Sequence, residues 1–358
     1  MQDTVLTLNI HQSVRRGGYS AHYTNMRRRV FSGIQPSEVI HIGNYIGAVK
    51  RWVASQDDPD KENIFCVVDL HALTVPQEPE KLRERTMELF ALFLAVGLDP
   101  DKSLLFLQSH VSVHAEGGWL LNCVTPEGWL KKMTQYKDKS ARQETVLTGL
   151  LDYPVLMAAD ILFYDTHEVP VGHDQKQHVE LARNIAERFN HLFGETFIVP
   201  EPIIPEVGAR IMALDDPTIK MSKSMAHIKG HSIPLLADPK EIERTIMRAK
   251  TDSGGDIRFS KEPEKAGVNN LLSIYQVLTK KSADEVEADF ANARGYGDLK
   301  KAVTQVVIAE TDPIRARHTE LMHDRGELTR IINVGTEKAR AISEPRLIDV
   351  KRKMGLIV

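Results

Sequence analysis

Cysteine is scarce: Cys66 and Cys123 are the only two in 358 residues, and no CxxC spacing occurs. Both stand among apolar neighbours in the sequence, which argues against a zinc or iron–sulfur site and fits reduced core residues in a cytoplasmic protein. No apolar run approaches the roughly 20 residues that cross a bilayer, so no membrane is expected as a partner. An excess of one charge sign is missing as well. With 46 Lys and Arg against 49 Asp and Glu, the net charge is -3, and no global basic field announces nucleic acid. A local basic face stays open, because phosphate binding depends on where Lys and Arg cluster. Internal repeats, low-complexity segments and a GxxxxGK[ST] phosphate loop are all lacking.

What remains is a chain with 42% hydrophobic and 27% charged residues, long enough for one large domain and a second, smaller one. Residues 1–26 stand apart, with Arg15, Arg16, Tyr19 and Ser20 and a single acid, Asp3. That composition suits a transit peptide; the plainer reading, favoured here, is a disordered tail or an over-long start with Met26 as the working initiator. From Arg28 on, short β-rich runs alternate with helical patterns. VFSGI (30–34), NIFCVVD (63–69), SLLFLQS (103–109), EVPVG (168–172) and FIVPE (197–201) are read as strands. Between the second and third of these runs, Leu82, Leu89, Phe90, Phe93 and Val96 recur at helical spacing before Gly97 and Pro100 stop the helix. Strand, helix, strand in this order predicts a doubly wound α/β domain with a parallel sheet and ligands at the carboxyl ends of its strands. After about Lys229 helical patterns take over, at 238–250, 269–278 and from Asp312 to the end, with breaks expected near Gly326, Gly335 and Pro345. The expected division is therefore 27–228 for the sheet domain and 229–358 for a helical one, hinged near Gly230 and Pro234.

Two stretches carry candidate chemistry. QPSEVIHIGN (35–44) leaves the first strand and enters a helix with His41, Gly43 and Asn44 close together. A glycine in the first helical turn lets a flat ring or a phosphate approach the backbone, and the helix start attracts anions. Alone, such a stretch is more often packing and capping. DPTIKMSKSMAHIKG (216–230) sets Lys220 and Lys223 around Met221 and Ser222, with Ser224 after, a composition suited to gripping and releasing a polyanion. A third feature is Asp160, inside the apolar helical run LMAADILF, where an ionised carboxylate is costly unless paired. It either caps something in the core or receives a ligand N–H, with Met157 on the same face one turn earlier. Asp174, three residues before Gln177, forms a capping-box pattern at the start of the next helix.

HIGN together with KMSKS resembles the paired signature of class I aminoacyl-tRNA synthetases. LDYPVLMAADILFYD (151–165), VGHDQKQHVELARNIAERFN (171–190), VVDLHALT (67–74), MTQYKDKS (133–140) and GARIM (208–212) are similar to the bacterial tryptophanyl-tRNA synthetases in particular. The resemblance runs from about Arg28 to the C-terminus. It implies a Rossmann-like catalytic domain followed by a helical domain that reads the tRNA anticodon. It also implies a homodimer with L-tryptophan, ATP and tRNA(Trp) as partners and no DNA. The reaction it implies has two steps, formation of tryptophanyl-adenylate and then transfer of the acyl group to tRNA. The substrate carboxylate is already ionised at pH 7, so the protein's work is alignment and charge stabilisation rather than general-base catalysis. Carried over residue by residue, Gln35, Pro36, Ser37, Gly43 and Asn44 would contact ATP, and His41 would face its phosphates. Gly172, His173 and Asp174 would hold the ribose side, and Ile211 would lie near the adenine. Lys220, Met221, Ser222, Lys223 and Ser224 would close on the triphosphate, with His41, Asn44, Lys220 and Lys223 as the catalytic set. Asp160 and Met157 would take the indole, with His71 and Gln175 beside them. Magnesium would arrive with ATP, since no cluster of side chains has the character of a metal cage.

The sequence departs from the family pattern at three places: Glu38 stands where Gly is usual, His173 where an acid is common, and Met225 where Asp is common. Two further readings stay open at this level. One is another adenylyl-transferring enzyme with a His-x-Gly turn, such as a tyrosyl-tRNA synthetase. The other is a non-catalytic paralogue that binds tryptophan.

Overall fold

The computed structural model describes residues 27–36, 39–141, 145–204, 211–221, 225, 228 and 230–358. The expectations for residues 1–26 fall outside the described residues.

Five strands, β1 (Arg28–Ile34), β2 (Lys61–Val67), β3 (Leu104–Leu107), β4 (Glu168–Pro170) and β5 (Glu201–Ile203), form one sheet in the order β3-β2-β1-β4-β5. Every pairing is parallel. β1 and β2 run in register from Arg28 opposite Lys61 to Ile34 opposite Val67. The central strands are apolar on both faces, as a sheet covered on both sides requires. Their side chains divide with period two: Phe65, Val67, Leu105 and Leu107 join one core, and Ile64, Cys66, Leu104 and Phe106 join the other. The helix Pro79–Ala95 and the C-terminal helices Ala266–Thr279 and Tyr296–His323 fill the first core. The helices Val113–Asn122, Thr148–Leu162 and Lys176–Phe193 fill the second. Because the chain begins in the middle of the sheet, builds outward through β2 and β3, then crosses back to β4, a crevice opens between the carboxyl ends of β1 and β4.

Four details differ from the sequence expectations. The fifth strand lies at Glu201–Ile203 rather than 197–201. Phe197 is buried against Phe163 and Phe189, and the Asn190 side chain takes up both its N–H and its carbonyl, so no strand partner is left for it. The final helix, Arg325–Lys353, runs unbroken through Gly335 and Pro345, and the break falls at Asp324, just before Gly326. Cys123 is exposed at the end of the helix Val113–Asn122, not in the core, while Cys66 is buried. The helix expected to be capped by Asp174 starts one residue later, with Gln175 at its N-cap and no side-chain cap. Gln177 instead accepts the backbone N–H of Thr134 at 3.0 Å.

Gly335 has a packing reason to be glycine. A Cβ there would overlap the carbonyl oxygen of Leu105 on β3, so the last helix can lie directly on the strand only where no side chain intervenes. Arg346–Asp165 at 2.8 Å and Lys351–Glu116 at 2.8 Å fasten the same helix farther along. Gly335→Ala is expected to cost about 1–3 kcal/mol, as inserting a methyl into a filled contact does. A lowered denaturant midpoint with unchanged KM values for all substrates is the expected measurement.

Candidate active site

The strands β1 to β4 each lead at the carboxyl end into a candidate site residue. After β1 come Gln35, half-buried, and Pro36, buried; after β2, His71; after β3, Gln108; after β4, Gly172, His173 and Asp174. The three strand exits on one side are tied together. Val68 N–H donates to the Ile34 carbonyl at 3.0 Å, Leu70 N–H to Gln108 Oε1 at 3.0 Å, and Ser109 N–H to Asp69 Oδ1 at 2.9 Å.

The stretch Ile40–Asn44 turns at once into a helix. His41 is its N-cap: Nδ1 accepts the Asn44 N–H at 3.3 Å, and Asn44 Oδ1 accepts the His41 N–H at 3.2 Å, a reciprocal capping box. His41 is buried, so the structure gives it the capping role that its position at a helix start suggested. The helix continues as a π-helical turn, Tyr45–Val49, before α-helix resumes at Lys50. Tyr45 at its start and Lys50 just after it both donate to Glu310 Oε1 at 2.6 Å, tying the signature turn to the helix Tyr296–His323. Ile42 N–H donates to the Ile233 carbonyl at 2.9 Å, and Leu235 N–H to the Ile40 carbonyl at 2.9 Å.

The two lysine-bearing and glycine-bearing stretches meet. Met221 is buried, and its sulfur lies 3.3 Å from where a Cβ on Gly43 would stand, with the His41 ring at 3.1 Å. Gly43 is thus the gap into which Met221 fits. Met221 N–H donates to the Ile211 carbonyl at 3.2 Å, Met212 bridges Lys220, and Lys220 itself is exposed. Ser37, Glu38, Ser222, Lys223 and Ser224 lie outside the described residues.

Asp160 is the electrostatic centre of the second group. It is 1% exposed, and three side chains donate to it: His71 Nε2 to Oδ2 at 2.8 Å, Gln108 Nε2 to Oδ1 at 2.6 Å, and His114 Nδ1 to Oδ1 at 2.7 Å. Burial pushes its pKa up, but the attraction of His71 and the hydrogen bonds from His114 and His71 outweigh it and hold the carboxyl well below the usual range. Gln108 has its amide orientation forced, since its oxygen already takes the Leu70 N–H. A carboxylate offers about four lone-pair positions. Among the described residues, two donors reach Oδ1 and one reaches Oδ2, which leaves Oδ2 with capacity for one more.

Tyr153, Met157 and Asp160 stand at i, i+4 and i+7 on the helix Thr148–Leu162 and share one face. The Tyr153 ring meets the edge of His71 at 6.2 Å between centroids, and its hydroxyl lies 2.8 Å from His178 Nε2 and donates to Gln135 Oε1 at 3.3 Å. Burial pushes the Tyr153 phenol up to about 12, so it is neutral at physiological pH. Met157 is half-buried beside it. Gln175 donates to Asp174 Oδ2 at 3.2 Å, and Gln135 Nε2 donates to the Asp174 carbonyl at 3.4 Å. The structure therefore gathers His71, Met157 and Asp160 with Tyr153 and Gln135, and sets Gln175 next to Asp174. Gln108, His114, Tyr153 and Gln135 were not singled out from the sequence. Tyr153 alone left a signal there, one turn before Met157 on the face that carries Asp160.

A sheet in this order, with a glycine turn at one strand exit, a lysine stretch packed on it and a buried carboxylate nearby, agrees with the sequence comparisons. The family model described as tRNA synthetases class I (W and Y) matches residues 24–310, and the chain belongs to that family. Within it, the chain is 54% identical over 331 residues to the tryptophan–tRNA ligase of Caldanaerobacter subterraneus subsp. tengcongensis, covering 92% of this chain and 99% of that protein. It is 50% identical over 331 residues to the tryptophan–tRNA ligase of Bacillus subtilis, covering 92% and 98%. Among solved structures, tryptophanyl-tRNA synthetase from Campylobacter jejuni complexed with ADP and tryptophan superposes with a TM-score of 0.81 at 36% identity, covering 92% of this chain and 100% of that one. Tyrosyl-tRNA synthetase from Archaeoglobus fulgidus, at 24% identity and a TM-score of 0.62, shares the fold.

Proposed function

We infer that this chain is a tryptophan–tRNA ligase: it activates L-tryptophan with ATP and passes it to tRNA(Trp). The observation that carries the choice of amino acid is Asp160, an ionised acceptor in an apolar helix with one lone pair left for a donor. An indole N–H supplies that donor; phenylalanine has none, and the tyrosine hydroxyl sits elsewhere in space. A buried acceptor discriminates strongly when the alternative ligand leaves it unpaired.

In the first step the tryptophan carboxylate attacks the α-phosphorus of ATP, forming the acyl–phosphate bond as pyrophosphate leaves. Lys220 and Lys223 would neutralise charge growing on the departing phosphates, and the turn at Gln35, Pro36, Ser37, Gly43 and Asn44 would align the nucleotide. Gly172, His173, Asp174 and Ile211 would hold the nucleoside. Magnesium enters bound to the phosphates, as part of the substrate. The helices after residue 229 would read the tRNA. Location in the cytoplasm is in keeping with the cysteine usage and with the finding that, among the described residues, no helix is long and apolar enough to cross a membrane.

The test is exchange of labelled pyrophosphate into ATP. Exchange that depends on tryptophan and not on tyrosine is expected; exchange with tyrosine alone, or tryptophan binding with no exchange, overturns the reading.

The chain is further proposed to act as a homodimer. Trp119 is 68% exposed on the helix Val113–Asn122, whose Asn122 is bonded at 2.9 Å to Asp152 of the helix Thr148–Leu162, and the exposed Val146 and Leu147 immediately precede that helix. Leu73 and Val75 are exposed on the turn Leu70–Thr74 and just after it, where the Thr74 methyl lies 4.0 Å from the place a Cβ on Gly149 would take. An apolar patch of this kind is typical of a contact face. Trp119→Glu is expected to convert a particle of twice the 40.3 kDa chain mass into a monomer in sedimentation equilibrium. An unchanged mass would show that another face is used.

A further inference from the structure

His114 is wholly buried, and both of its ring nitrogens are engaged: Nδ1 lies 2.7 Å from Asp160 Oδ1, and Nε2 lies 2.9 Å from the Tyr164 hydroxyl. A neutral imidazole has one N–H and one lone pair, so the order of hydrogens along this chain is a choice between two arrangements. Asp160 can only accept. Tyr164 keeps its proton, because burial and the neighbouring Cys66 push its phenol well above the ordinary value, with Asp160 adding to the effect against a hydrogen bond from Ser343. The hydrogens then run one way, with the Tyr164 O–H donating to Nε2 and Nδ1–H donating to Asp160. Tyr164 is itself held rigidly, its ring packed on Phe106 at 5.5 Å and Phe31 at 6.0 Å between centroids.

We propose that Tyr164 and His114 are positioning residues for amino-acid selection: Asp160 holds His114 as the Nδ1–H tautomer, the phenol pairs the Nε2 lone pair and fixes the ring, and the carboxylate, saturated on Oδ1, is thereby held with its open position on Oδ2 offered to the indole N–H. Without the phenol oxygen, the buried Nε2 lone pair of His114 is left unpaired, so the ring turns or takes up a second proton, and the Asp160 carboxylate that it steadies loses its alignment toward the ligand. Neither residue is required to touch substrate. The proposal rests on Asp160 being the acceptor for tryptophan.

Tyr164→Phe removes one oxygen and keeps the ring packing. The variant is expected to raise the tryptophan KM about tenfold with the ATP KM changed less than about twofold, since one charge-assisted hydrogen bond is misaligned and nothing at the nucleotide is altered. It is also expected to shrink, by a similar factor, the preference in kcat/KM for tryptophan over the isostere in which sulfur replaces the indole N–H. A role limited to packing would lower the melting temperature and leave both ratios where they were, and that result overturns the proposal. Nitrogen NMR of the wild-type chain labelled at histidine supplies a readout independent of any variant. An unprotonated Nε2 at His114 is expected; an Nε2–H tautomer or an imidazolium overturns it. Asp160→Asn, measured alongside, separates the two claims. If it abolishes the preference for tryptophan over the sulfur isostere while Tyr164→Phe preserves it, the positioning role fails and the acceptor role stands. If Asp160→Asn preserves the preference, both fail.

Discussion

Asp160→Ala is expected to raise the tryptophan KM by about 10- to 100-fold while the ATP KM changes by less than about threefold, because the lost group pairs with the amino acid and not with the nucleotide. The same substitution removes the shared acceptor of His71, Gln108 and His114. Breaking a buried charged cluster by deleting one member costs about 3–5 kcal/mol, so the variant should also unfold at a clearly lower denaturant concentration. Equal changes in both KM values would mean that the carboxylate is a structural knot only. The pH dependence has a definite sign. A carboxyl whose folded pKa is depressed contributes stability above its unfolded value, about 3.9, and loses that contribution as the pH falls toward the folded one. The stability gap between the wild type and Asp160→Ala is therefore expected to be full above about pH 5 and to narrow steadily below pH 4. Urea titrations at a series of pH values measure it, and a gap that stayed constant on acidification would contradict the depressed value.

Lys223→Ala is expected to slow tryptophan-dependent pyrophosphate exchange by about 10²- to 10³-fold, the size of effect seen when one preorganised charge is taken from a developing anion. Tryptophan binding should be unchanged. Lys220→Ala should act in the same direction. Lys220 is exposed and free to reach outward, while the next residue, Met221, is buried against Gly43 and anchors the stretch beside the signature turn. Loss of tryptophan affinity in either variant, or exchange at the wild-type rate, would remove these lysines from the chemistry.

The parallel sheet was legible because β1, β2 and β3 are apolar over most of their length and end at polar residues. β5 was misplaced because the apolar letters of Phe197 and its neighbours describe an aromatic core contact, and period and composition do not tell that apart from a strand. A similar ambiguity hid the end of the molecule. Gly335 and Pro345 are breakers by propensity, yet tertiary contact keeps both within one helix. Asp160 was legible as a charge in an apolar run. Two of its partners were not, since Gln108 and His114 lie 52 and 46 residues away and look in sequence like a strand end and a core helix. Asp174 fitted a capping pattern that the fold does not use, because Gln177 is drawn off to Thr134. Local rules found the elements, and long-range hydrogen bonds decided which polar residues converge.

The contact at Gly335 also bears on how the sheet is kept from associating with other molecules. β3 is an outermost strand of four apolar residues, Leu104–Leu107, whose free side would otherwise present unpaired backbone groups to any passing extended chain. The last helix lies against that strand so closely that a methyl at Gly335 would strike the Leu105 carbonyl. A chain ending before Arg325 would therefore be expected to polymerise through β3, and the C-terminal helix guards solubility as well as packing.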